Sequence, residues 1–106
     1  LTTGDTRSAT VPQDPTALGS KVLRIRKDGT VPPGNMSAPF RAPIYAFGFR
    51  NPQGLAFRPG SGEPFTCEHG PGTDDEVTKL SAGGNAGWDP RNPNNANDPT
   101  YWGYMG

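Results

Sequence analysis

Phe49-Arg50-Asn51-Pro52-Gln53-Gly54-Leu55-Ala56-Phe57-Arg58, then Pro59-Gly60-Ser61-Gly62-Glu63, then Phe65-Thr66-Cys67-Glu68 is the stretch on which the fold turns. Residues 55–58 and 65–68 are short runs of strand-forming character. The Pro, Gly and Ser run between them has the length and composition of a hairpin connection. Polar segments flank the pair, Arg50-Asn51-Pro52-Gln53-Gly54 on one side and Glu68-His69-Gly70-Pro71-Gly72-Thr73-Asp74-Asp75-Glu76 on the other. A guanidinium, an amide, backbone carbonyls and an acidic cluster are therefore expected at one end of a sheet.

Outward from this hairpin the same kind of element repeats. Lys21-Val22-Leu23-Arg24-Ile25-Arg26 alternates, predicting a half-buried strand with Leu23 and Ile25 on one face and the basic residues on the other. Asp28-Gly29 follows as a tight-turn dipeptide. Residues 44–49 form an apolar and aromatic run in which Gly48, with Pro52 shortly beyond, argues against a helix, so a buried strand is predicted. Val77-Thr78-Lys79-Leu80 predicts another short strand, and Ser81-Ala82-Gly83-Gly84-Asn85-Ala86-Gly87 a turn that ends it. Residues 6–20, broken by Pro12 and Pro15, read as a surface loop. Residues 89–99 read as irregular, followed by Tyr101, Trp102 and Tyr104, for which packing is favoured over sugar stacking. No segment reads as a helix. Short strands separated by turn signals make the class all-β: a sandwich, a barrel or a propeller.

Composition bounds what such strands can do alone. The chain has 106 residues, with ten basic and ten acidic side chains, so its formal charge is zero and gives no electrostatic case for nucleic acid. Only 31% of residues are hydrophobic, against 15 Gly and 13 Pro, which leaves little material for an independent core. The expectation is an internal fragment whose core is completed by residues outside it, and Leu1-Thr2-Thr3-Gly4-Asp5 reads as a strand end running into a turn. No apolar run is long enough to span a membrane. Cys67 is the single cysteine, excluding an internal disulfide, and is expected to be a buried thiol. Asn35-Met36-Ser37 matches a glycosylation acceptor in a loop, a pointer to secretion.

The loops carry the candidate chemistry. Arg50 offers a permanently charged planar fork suited to carboxylates, and Asn51 both donates and accepts, so together they suit a polyanionic ligand. The plainer alternative pairs Arg50 with Glu68 or Asp75 and makes Asn51 a turn cap. The oxygen-rich run from Gly70 to Glu76 suits a hard cation such as calcium, without EF-hand spacing, and a solvated acidic turn would look the same. His69, the only histidine, lacks an evident partner for general-base work. The Gly83-Gly84-Asn85-Ala86-Gly87 run lacks the spacing of a phosphate cradle.

Five motifs in one order carry a resemblance: Leu1-Thr2-Thr3-Gly4-Asp5; Gln13-Asp14-Pro15 through Leu18-Gly19-Ser20-Lys21-Val22-Leu23-Arg24-Ile25; Gly48-Phe49-Arg50-Asn51-Pro52-Gln53-Gly54-Leu55-Ala56; Glu68-His69-Gly70-Pro71 with Asp74-Asp75-Glu76-Val77; and Gly83-Gly84-Asn85-Ala86-Gly87-Trp88. The chain resembles the soluble glucose and aldose sugar dehydrogenases that use pyrroloquinoline quinone (PQQ), the glucose/sorbosone dehydrogenase family. The match is strongest over residues 1–88 and fades over 89–106, within one partial domain spanning 1–106. The resemblance implies one to two blades of a six-bladed β-propeller, with the rest of the propeller required for folding.

It further implies that Arg50 and Asn51 contact PQQ, that the backbone carbonyls of Gly70 and Pro71 ligate calcium (Ca2+), and that Asp75 and Glu76 support that loop. The family's catalytic base, a histidine, would lie upstream of Leu1, so no residue here is assigned as catalytic and residues 1–106 alone are not expected to be active. The implied reaction is oxidation of an aldose at C1, in an extracellular or periplasmic setting. The alternative is a non-catalytic extracellular propeller module resembling Hedgehog-interacting proteins, acting in binding or structure.

Overall fold

The computed structural model describes residues 1–70 and 75–92. Six strands form two three-stranded antiparallel sheets. The first contains β1 (Thr2–Thr3), β2 (Lys21–Leu23) and β3 (Ile44–Phe47), in that order; the second contains β4 (Pro52–Phe57), β5 (Pro64–Glu68) and β6 (Glu76–Lys79), also in order. Each sheet is a meander, so neighbours in sequence are neighbours in space.

The hairpin read from the sequence is β4–β5. It opens at Pro52, three residues earlier than the 55–58 run suggests, and pairs Pro52 with Glu68 and Phe57 with Pro64. Its register shifts between Pro52 and Gly54. A bulge is one way for a strand to accept a proline, which has no N–H to give the ladder. The connection is closed by Arg58 N–H on the Glu63 carbonyl (2.8 Å) and by an Arg58–Glu63 ion pair (2.8 Å), with Lys79 on the same carboxylate.

Along β5 and β6, alternate side chains point the same way. Thr66 and Glu68 face inward beside Thr78 and Glu76, their direct cross-strand partners, and all four are buried. The same alternation turns Cys67 to the surface, correcting the expectation of a buried thiol: it sits one residue out of phase with the inward set.

The 84–88 segment returns from the second sheet to the first. Phe47 N–H donates to the Gly84 carbonyl (3.0 Å), Ala86 N–H donates back to Phe47 (2.8 Å), and Trp88 N–H donates to Gly48 (2.8 Å). This parallel bridge at Phe47 and Asn85 extends the first sheet past β3 and buries Ala86. The core is the small cluster of Val22, Ala46, Phe49, Leu80 and Ala86, with Tyr45 packed against it. Leu1, Ile25, Leu55, Phe57 and Val77 are exposed, so the described residues leave much apolar surface uncovered.

The alternation expected over residues 21–26 is not what forms. Only Lys21–Leu23 is strand, all three residues are buried, and Ile25 is exposed. β2 is the central strand of its sheet, and the 6–20 loop lies over it. That loop contains a short 3-10 turn at Val11–Gln13, where a wholly irregular segment was expected. Lys21 is 0% exposed, and its ammonium donates to the carbonyls of Val11 (2.8 Å), Gly19 (2.8 Å) and Pro12 (3.3 Å). The charge of a lysine reads as solvent-facing, although period-two alternation puts position 21 on the same face as Leu23. Here three inward-pointing carbonyls make burial tolerable. No helix among the described residues is long and apolar enough to cross a membrane.

Candidate cofactor site

Arg50 sits where the chain leaves the first sheet and enters β4, and its backbone is held from both sides. Its N–H donates to Glu68 Oε2 (2.8 Å), and its carbonyl accepts from Asp5 N–H (2.9 Å). Next along the chain, the Asn51 carbonyl accepts from His69 N–H (3.2 Å). The 1–5 segment, the start of β4 and the end of β5 therefore meet at Arg50 and Asn51. Gly4 lies close enough that a Cβ there would stand 3.5 Å from both the Arg50 carbonyl and Asn51 Oδ1.

The guanidinium reaches across the hairpin end. One terminal nitrogen donates to the carbonyls of His69 (2.9 Å) and Gly70 (2.6 Å). These acceptors are neutral dipoles, so they orient the fork without cancelling its charge. Of the two carboxylates considered for Arg50, Glu68 engages its backbone N–H. Asp75 turns instead to Gly70 N–H (3.0 Å) and His69 Nδ1 (3.3 Å). His69 is thus an exposed partner of Asp75.

Glu76, at the start of β6, is 6% exposed and directly opposes Glu68, which is 5% exposed. Pro71 lies outside the described residues. Asn35, the glycosylation candidate, donates through Nδ2 to the carbonyls of Arg24 (2.8 Å) and Ala42 (3.0 Å). A glycan on that nitrogen would replace one of its two N–H groups and so displace one of these bonds.

Arg50 and Asn51 fit a polyanion: a charged fork, aimed by carbonyls, stands beside an amide at one sheet end. For calcium, the described donors are backbone oxygen rather than a side-chain cage. No group of three His, Cys, Asp or Glu able to hold a metal occurs among the described residues. The Gly70 oxygen is a hard donor and keeps a second lone pair beyond the one turned to Arg50. A cation there would lie beside a guanidinium, so it fits only together with an anionic ligand shared between them.

Two polar partners of the site escaped the sequence reading. Asp5 was noted only as part of a motif, yet besides holding the Arg50 carbonyl its carboxylate accepts from Trp88 Nε1 (3.0 Å) and Arg7 N–H (2.9 Å). Glu68 was considered as an ion-pair partner for the guanidinium rather than as an acceptor for the backbone. Its one legible signal is its place two residues after Thr66, in phase with the inward face.

Comparison with known proteins identifies the family and the fold. The glucose/sorbosone dehydrogenase family model matches residues 1–104. Quinoprotein glucose dehydrogenase B of Acinetobacter calcoaceticus is 48% identical over 71 residues, 64% of this chain and 14% of that protein. The crystal structure of the soluble aldose sugar dehydrogenase of Escherichia coli, in its apo-form, superposes with a TM-score of 0.77 at 34% identity, covering 83% of this chain and 26% of that one. The PQQ-bound aldose sugar dehydrogenase of Streptomyces coelicolor superposes with a TM-score of 0.73 at 36% identity, covering 86% and 25%. The chain thus spans about a quarter or less of the length of these relatives. Its two antiparallel sheets are part of a β-propeller of the kind that these sugar dehydrogenases share, and the chain belongs to the glucose/sorbosone dehydrogenase family.

Proposed function

We propose that this chain is part of an extracytoplasmic, PQQ-dependent dehydrogenase that oxidises an aldose at C1, and that it contributes one wall of the cofactor site. The observation that carries the reading is the Arg50 guanidinium, aimed across the hairpin end by two neutral carbonyls beside Asn51. Arg50 binds and orients the cofactor's carboxylates, and Asn51 adds a donor and an acceptor at the next position. Calcium is proposed at the backbone carbonyls of Gly70 and Pro71, held together with the anionic cofactor. When bound, PQQ supplies the electron-accepting carbonyl chemistry, and calcium supplies Lewis-acid polarisation.

The proton of the sugar hydroxyl is assigned to a histidine upstream of Leu1, in keeping with the family resemblance. His69 is not given that role, which the resemblance assigns elsewhere, although Asp75 at its Nδ1 (3.3 Å) supplies the partner that the sequence did not show. Asp75 accepts from Gly70 N–H and thereby helps keep the Gly70 carbonyl beside Arg50.

The test is PQQ titration of the complete protein in the presence of calcium, followed by aldose-dependent dye reduction. Arg50→Ala is expected to weaken PQQ binding by at least about tenfold, the scale of losing charge-assisted hydrogen bonds worth about 1.5–3 kcal/mol. Unchanged PQQ affinity in that variant would remove the cofactor assignment. A non-catalytic binding module predicts no PQQ uptake by the wild-type protein.

A further inference from the structure

We propose that Glu68 is a positioning residue that sets the aim of Arg50 by holding its backbone, a role that rests on the cofactor site proposed above. Arg50 is the junction between the two sheets. Where its side chain points depends on the orientation of the peptide units around it. One of its two backbone polar groups is fixed by Asp5 N–H (2.9 Å), and the other by the Glu68 carboxylate (2.8 Å). The guanidinium then crosses to the carbonyls of His69 and Gly70, the two residues that follow Glu68. Glu68 thus ties the base of the Arg50 side chain to the same strand end that receives its tip.

The choice of residue has a physical reason. Position 68 pairs with Pro52 across the hairpin, at the point where the β4–β5 register shifts. Arg50 precedes β4, so its N–H has no ladder partner and takes an acceptor from elsewhere. A side chain long enough to reach back from β5 supplies it.

The argument distinguishes acceptor position from charge. Glu68→Gln keeps an oxygen at the same reach and removes the charge. Glu68→Asp keeps the charge and withdraws the carboxylate by about 1.5 Å, one carbon–carbon bond, beyond hydrogen-bond reach of Arg50 N–H. In the complete protein, PQQ titration by fluorescence quenching is expected to show Glu68→Gln within about twofold of wild type and Glu68→Asp weaker by about tenfold. Amide hydrogen exchange at Arg50, read without cofactor, should accelerate in Glu68→Asp alone. Combining Glu68→Asp with Arg50→Ala should weaken binding no further than Arg50→Ala does.

A Gln variant as weak as the Asp variant, or losses that add in the double variant, would overturn the positioning role. So would unchanged affinity in Glu68→Asp when Arg50→Ala is weakened. Unchanged affinity in Arg50→Ala would instead locate the failure in the cofactor assignment itself. Should Glu68→Asp fail to fold, Glu68→Gln still decides: tenfold weaker binding with native hydrogen exchange at Arg50 would refute the proposal.

Discussion

Trp88 Nε1 donates to Asp5 Oδ2 at 3.0 Å, joining residues 83 positions apart. Asp5 also holds the Arg50 carbonyl, so the end of the 84–88 segment and the candidate site share one residue. Trp88→Phe keeps the aromatic bulk and removes the donor. The expected cost is about 1.5 kcal/mol, the lower end for a bond to a charged acceptor because Asp5 is only half-buried. Denaturant unfolding of the complete protein, comparing Trp88→Phe with wild type, measures it. An unchanged midpoint would show that water replaces the indole without loss.

Gly48 is the second place where the 84–88 return is tested. Its φ is +78°, and a Cβ there would overlap Asn85 Oδ1 and crowd Gln13 Nε2. Those two side chains form a reciprocal amide pair: Gln13 Nε2 donates to Asn85 Oδ1 (3.1 Å), and Asn85 Nδ2 donates to Gln13 Oε1 (3.0 Å). Gly48→Ala therefore meets a strained backbone and an occupied space at once. A destabilisation of about 2–4 kcal/mol is expected, seen as a lowered melting temperature or loss of soluble protein. Gln13→Ala with Gly48→Ala should recover part of the loss if crowding contributes alongside φ.

How much of this was legible in the sequence depended on the range of the interaction. Hairpin β4–β5 and strand β6 were readable because turn residues and short strand-forming runs are local signals. The Arg50-Asn51 pair was singled out by the family resemblance, since the residues alone left open a pairing of Arg50 with Glu68 or Asp75; the guanidinium instead takes the carbonyls of His69 and Gly70. Cys67 was misread because β5 inherits its phase from Thr66 and Glu68, polar residues that look outward-facing in sequence and point inward in the fold. Lys21 was misread by its charge: alternation puts it in phase with Leu23, while the acceptors that let it be buried there, at Val11, Pro12 and Gly19, depend on the path of a loop. Glu68 acts on Arg50 across 18 positions, a contact that needs the closed β4–β5 hairpin, and Asp5 across 45, a contact that exists only once the two sheets have met.

Lys21 supplies a pH test with a definite sign. Burial pushes its ammonium down from 10.5 to about 8, with Asp14 opposing part of the effect. Between about pH 8 and 10.5 the unfolded chain retains a proton that the folded chain has released. Stability should therefore rise with pH through that window and show no Lys21 contribution to the slope well below it. The neutral amine has two N–H bonds for three carbonyls, and Pro12, the most distant acceptor at 3.3 Å, is the first to be given up. Lys21→Met removes the titration and keeps much of the side-chain volume. The stability of wild type relative to Lys21→Met, from denaturant unfolding of the complete protein, is expected to increase between pH 8 and 10.5. A relative decrease over that range would mean that the three carbonyl bonds to the charged ammonium outweigh the cost of burying it.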